Sequence, residues 1–224
     1  MDPVTVEISE DNIKVAFSQG GRNVTKSVAV EDFIAAIQKD MVLRTGIQSR
    51  GVREFLISGN RMVIALEVPP RIRDIKFHDK NTDSNFNYKI PFPALVFIFE
   101  MQNKVLSQSW CFAAKEPLWK PSIDLFLFPY GNVHPDGKIC WGSGNDNGRQ
   151  EYTAANVSSL VDKFIKAPFN TDLSQGVFVA PSAKIKTTHQ LMESLNGTFE
   201  FPFDILKTIS SYEAKVAKIF KGRE

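Results

Sequence analysis

The chain has 224 residues, 43% of them hydrophobic and 18 of them Phe, enough for one large or two small domains with an aromatic core. Its 27 basic and 25 acidic residues nearly cancel and form no dense Lys/Arg block, which argues against nucleic acid as a partner. Two cysteines and three scattered histidines make neither a disulfide framework nor a zinc site, and no apolar run reaches the ~18 residues of a membrane span. The N-terminus lacks the basic and apolar regions of a signal peptide, so a cytoplasmic location and no membrane association are expected.

Residues 4–9 and 12–18 alternate with the period of two expected of strands, Gly20-Gly21 marks a turn, and residues 24–30 return as a third strand. Phe33, Ile34 and Ile37 recur at helical spacing behind the acids Glu31 and Asp32, predicting a helix over 30–39. Residues 53–57 and 61–68 read as a hairpin across Ser58-Gly59-Asn60, ended by Pro69-Pro70. The polar stretch 79–87 is the best domain boundary, giving a mostly β module with one helix over 1–85 and a second domain over 86–224. Within the second domain, 94–101 and 105–113 form a hairpin and 123–128 a further strand. Helices follow over 153–167, 185–195 (with His189 on its surface) and 210–221, the last with Ala214, Val216, Ala217 and Phe220 on its apolar stripe. Strands followed by helices describe an α+β domain, an antiparallel β-meander packed on helices.

The most informative segment runs Asn132-Val133-His134-Pro135-Asp136-Gly137-Lys138-Ile139-Cys140-Trp141-Gly142. It sets a cysteine after an Asp-Gly turn and before the polar loop Ser143-Gly144-Asn145-Asp146-Asn147-Gly148. Gly tolerates the positive φ of such a turn, and a turn beside a loop presents a thiol to solvent, which thiol chemistry requires. Cys111, inside the alternating strand 107–113, reads as structural.

Gly137-Lys138-Ile139-Cys140 resembles the Gly-x-Ile-Cys of ubiquitin-conjugating enzymes. In that family the motif asparagine precedes the cysteine by eight residues, as Asn132 does here. The family's His-Pro is replaced by Tyr130-Gly131 in ungapped register, and His134-Pro135 falls in the turn. Downstream, Ala167-Pro168-Phe169-Asn170-Thr171-Asp172 is similar to the family's Pro-Asn-Pro-Asp-Asp loop, placing Asp172 on the acid that faces the cysteine. A closer likeness is to bacterial PRTRC system protein B. It rests on Pro93-Ala94-Leu95-Val96-Phe97, Pro129-Tyr130-Gly131-Asn132-Val133 and Asp136-Gly137-Lys138-Ile139-Cys140-Trp141-Gly142-Ser143.

The resemblance implies that Cys140 accepts a ubiquitin-like modifier as a thioester and passes it to an amine, with no metal or organic cofactor. It implies as partners an adenylating (activating) enzyme, the modifier itself and an isopeptidase. Asn132 would donate its amide to an oxyanion or, equally, fix the turn through backbone bonds. Asp172 would orient an incoming lysine or be a plain solvated loop acid. Trp141 reads as a core anchor. Two other readings stand beside this one: a non-catalytic partner-binding module of the same fold, and a cysteine hydrolase using Cys140 and His134.

Overall fold

The computed structural model describes residues 4–8, 13–30, 32–33, 50–58, 60–142, 150–173, 185 and 187–220. The chain divides into two compact units, residues 1–45 and 46–224. In the first, β1 (Thr5–Ile8), β2 (Ile13–Gln19) and β3 (Arg22–Val28) form an antiparallel sheet in that order. Register Val6↔Val15↔Lys26 and Ile8↔Ile13↔Val28 sets Val6, Ile8, Ile13, Val15 and Val28 on one face with Lys26, and Thr5, Glu7, Lys14 and Ser27 on the other. Gly20 and Gly21, at φ +59 and +75, close the β2–β3 turn as the sequence expected. Val30, Asp32 and Phe33 open a helical turn, with the Phe33 N–H donating to the Ala29 carbonyl at 3.0 Å. The rest of the expected 30–39 helix lies outside the described residues.

The second unit is built on β4 (Val52–Ser58), β5 (Arg61–Val68), β6 (Arg71–Asp79), β7 (Ser84–Phe92), β8 (Ala94–Gln102), β9 (Val105–Ala114) and β10 (Asp124–Leu127). After these come α1 (Ser158–Lys166), the short β11 (Phe169–Asn170), α2 (Thr188–Leu195), β12 (Thr208–Ser211) and α3 (Tyr212–Phe220). A six-stranded sheet runs β12-β10-β9-β8-β5-β4, and a three-stranded one runs β11-β6-β7. Strands within 52–79, assigned by sequence to the N-terminal module, thus share sheets with strands beyond residue 86. The β8–β9 hairpin turns at Asn103 and Lys104, both at positive φ (51° and 65°), which matches the twist of the flanking strands.

Alternation along the large sheet sends Leu66, Leu95, Phe97, Phe99 and Cys111 to one face and Ala65, Val96, Ile98 and Phe112 to the other. Both faces are covered, so the run Leu95–Phe99 is apolar at every position and fully buried. Ile75, Phe77, Tyr88, Ile90 and Phe92 of the β6–β7 hairpin share the first face's cluster with residues of α1 and α2. Tyr212, Val216 and Ile219 of α3 cover the second. A buried Phe gains roughly 1.5–3 kcal/mol over an exposed one, and the Phe97–Phe164 and Phe128–Phe164 edge-on pairs at 5.6 and 5.3 Å add to this.

This architecture corrects the expected α+β meander packed on helices. The chain is mostly β, with 48% strand against 18% helix in three helices among the described residues, and its antiparallel sheets are curled. The reason lies in residues 71–92. No strand was expected there, and the polar stretch 79–87 was read as a boundary. It is instead the last residue of β6, the turn and the first part of β7 in a hairpin of two nine-residue strands. The inward positions Ile75, Phe77, Tyr88, Ile90 and Phe92 make that hairpin a sheet layer over the core.

Smaller differences follow packing. α1 begins at Ser158, with turns before it. The buried stripe of α3 is Tyr212, Val216 and Ile219, while Ala214 faces solvent. Among the described residues no helix is long and apolar enough to cross a membrane.

Candidate active site

β10 pairs with β9 only from Phe112 to Ala114, which leaves the rest of that β9 edge open. Residues 137–139 continue the pairing. The Gly137 carbonyl accepts the Cys111 N–H at 2.9 Å, and the Ile139 N–H donates to the Ser109 carbonyl at 2.9 Å. The segment 132–140 is itself a tight hairpin. Val133 bridges Ile139, the His134 N–H donates to the Lys138 carbonyl at 2.8 Å, and the Gly137 N–H donates to the His134 carbonyl at 2.8 Å. The Asp136 carboxylate accepts the Lys138 N–H at 2.9 Å, the local bond that favours Asp at such a turn.

Gly137 is needed twice over. Its φ is +90, and a Cβ there would clash with the ring edge of buried Phe112. Gly131, at φ +93, likewise leaves room for the Asn170 carbonyl.

Val133 and Ile139 are buried and anchor the hairpin, so the next side chain, Cys140, emerges into solvent. Its N–H donates to the Asn132 carbonyl at 2.8 Å. Trp141 then turns back as an anchor, as expected: its indole N–H donates to Ser109 Oγ at 2.8 Å, and its ring stands 6.1 Å from that of Phe164. Cys111 is the opposite case. It is wholly buried, and burial pushes its thiol pKa well up, so the neutral thiol persists.

Asn132 occupies the left-handed region at φ +57. Its side-chain amide donates to the Pro168 carbonyl at 2.8 Å, tying the hairpin to the segment after α1. That segment is fixed by β11, which pairs in parallel with β6 through Phe169↔Phe77 and Asn170↔His78. The Asn170 side chain accepts the Asp172 N–H at 3.0 Å. The structure therefore joins Asn132 to Cys140 through the main chain and to the 168–172 loop through the side chain. Asp172 is half-exposed, and its carboxylate forms an ion pair with the half-exposed ammonium of Lys80. Among the described residues no hydrogen bond links Asp172 or the His134 ring to Cys140. His134 is exposed and is tied into the turn by its backbone.

The sequence reading missed three partners of this region: the Pro168 carbonyl, Ser109 and Lys80. It also placed His189 on the surface, whereas the ring is only 20% exposed and packs on Phe86 and Phe77 at 4.7 and 5.2 Å. Its nitrogens lie 3.1 Å from Asp79 Oδ2 and 2.9 Å from the Tyr88 hydroxyl. The Asn81 N–H holds the Asp79 carboxyl below the ordinary range, aided by Thr82 and His189. An acid at 79 and an aromatic at 88 were visible, but their meeting with residue 189 was not. Among the described residues no group of three or more His, Cys, Asp or Glu converges closely enough to hold a metal ion.

Comparison with known proteins places the chain in a family. The profile of Prokaryotic E2 family D matches residues 36–209, or 174 of 224 residues, and spans Asn132, Cys140 and Asp172. No curated protein and no solved structure matched the chain. The chain belongs to Prokaryotic E2 family D, an E2-like family associated with ubiquitin-type conjugation.

Proposed function

We propose that Cys140 accepts the C-terminal acyl group of a ubiquitin-like modifier as a thioester and passes it to an amine. The observation that carries this reading is the contrast between two thiols, of which Cys140 alone is exposed, at the end of a braced hairpin. The likeness to PRTRC system protein B fits the same role. The activating partner consumes ATP, the modifier arrives as its thioester, and an isopeptidase reverses the product. In charging, the Cys140 thiolate attacks the incoming carbonyl and the partner's sulfur leaves. In discharge, an amine attacks, a C–N bond forms, and the Cys140 sulfur departs. The Asn132 amide carries two N–H groups. One holds Pro168, and the other is available to a developing oxyanion. Asp172 accepts the proton of the attacking amine.

The test is incubation with an adenylating enzyme and a ubiquitin-like protein from the same genome, with ATP. A reductant-sensitive adduct is expected on the parent and on Cys111→Ser, and a reductant-stable oxyester on Cys140→Ser. Asn132→Ala is expected to slow discharge to lysine by about 10²–10³-fold, the cost of one oxyanion donor, more than it slows charging. Equal slowing of both steps would reduce Asn132 to a turn-holding residue. No adduct on the parent would overturn the proposal in favour of a non-catalytic binding module. Hydrolysis without any activating partner would favour a Cys140–His134 hydrolase.

A further inference from the structure

We infer that Lys80 is an acceptor within the chain, a site of self-modification by the acyl group carried on Cys140. The inference rests on the proposed thioester chemistry and names the amine already paired with Asp172. Lys80 follows the last residue of β6 at a fixed place. Asp79 before it is buried and accepts the Asn81 N–H at 3.0 Å, and His78 is in register with Asn170. The parallel pairing of β11 with β6 carries the 168–172 loop to this turn. Asp172 thereby meets Lys80, 92 residues away in sequence. The same loop is tied by the Pro168 carbonyl to Asn132, whose own carbonyl holds the Cys140 N–H. The acid that would receive an acceptor's ammonium already holds one, and it belongs to this chain.

Both partners of the pair are half-exposed, so the contact is screened and exchanges readily. Lys80 has a flexible four-carbon stem to carry its nitrogen toward the thioester. In the step, the Lys80 ammonium first gives one proton to solvent, and the neutral Nζ then attacks the thioester carbonyl carbon to form the C–N bond of an isopeptide. The C–S bond breaks with the electron pair leaving on the Cys140 sulfur, and the amine proton passes to Asp172 and on to solvent.

A defined acyl donor tests this without any partner protein: a short peptide ending in Gly-Gly as its mercaptoethanesulfonate thioester, mixed with the full chain and followed by peptide mass spectrometry. The expected course is a reductant-labile adduct on Cys140, then a reductant-stable one on Lys80, favoured about tenfold or more over every other lysine because Asp172 holds it on the loop tied to Asn132. Cys140→Ala should lose the Lys80 adduct. Lys80→Arg should keep the thioester and gain no stable adduct at that position. A Cys140 thioester that forms but decays without acylating Lys80 would overturn this inference and leave the proposed function standing. So would Lys80 acylation undiminished in Cys140→Ala. Failure of Cys140 to form any thioester would sink both.

Discussion

Cys111 and Cys140 are tied by backbone hydrogen bonds to one hairpin, yet they live in opposite environments. The Cys111 N–H donates to Gly137 and the Cys140 N–H to Asn132, so both main chains are anchored to that hairpin. Their side chains differ in what alternation does with them. Cys111 points between Phe97 and the other side chains of the first core face, and Cys140 follows the last anchored residue of the hairpin and points to water. Thiol exposure, which thiol chemistry requires, is therefore set here by the face a residue takes.

The largest expected effect is in thiol labelling of the native protein. Cys140 should react freely with iodoacetamide, whereas Cys111 should react only through unfolding, about 10³-fold or more slowly, given ordinary unfolding equilibria. Comparable native rates would break the comparison at its root.

Gly137→Ala sharpens it. A Cβ at φ +90 against Phe112 combines backbone strain with overpacking, for a loss of about 2–5 kcal/mol read from denaturant midpoints. Cys111 labelling should accelerate with that loss, since it follows global opening, while Cys140 labelling changes only a few-fold. Unchanged stability would show that the Gly137–Phe112 contact is not close.

The smallest effect is alkaline. Because burial raises the Cys111 pKa in the folded chain, the unfolded chain ionises this thiol first. The stability is fully present below the ordinary thiol value of 9.0 and falls as pH rises above it, by about 1.4 kcal/mol per pH unit. Cys111→Ala, though less stable overall, should lose stability less steeply between pH 9 and 10. Equal slopes would assign the alkaline loss to other groups, such as Tyr130, whose burial also raises its pKa.

The hairpins β2–β3, β4–β5 and β8–β9 could be read from sequence because alternation and turn residues act over a few positions. The exposed thiol after Asp136-Gly137 was legible for the same reason. The β6–β7 hairpin carried the same alternation at Phe86, Tyr88, Ile90 and Phe92, but its polar turn and Pro91 disguised it.

What the sequence determined by itself is local: where the chain turns, which strands alternate, and that Cys140 follows a turn while Cys111 sits in a strand. What only the tertiary structure decided is which edges meet: β5 beside β8, β11 beside β6, and α3 over the second face. Those contacts bring Lys80 to Asp172, Asn132 to Pro168 and His189 to Asp79, pairs 92, 36 and 110 residues apart. A strand's pattern states which face it buries, but any apolar face can satisfy it. The choice of partner is settled by packing the whole chain at once.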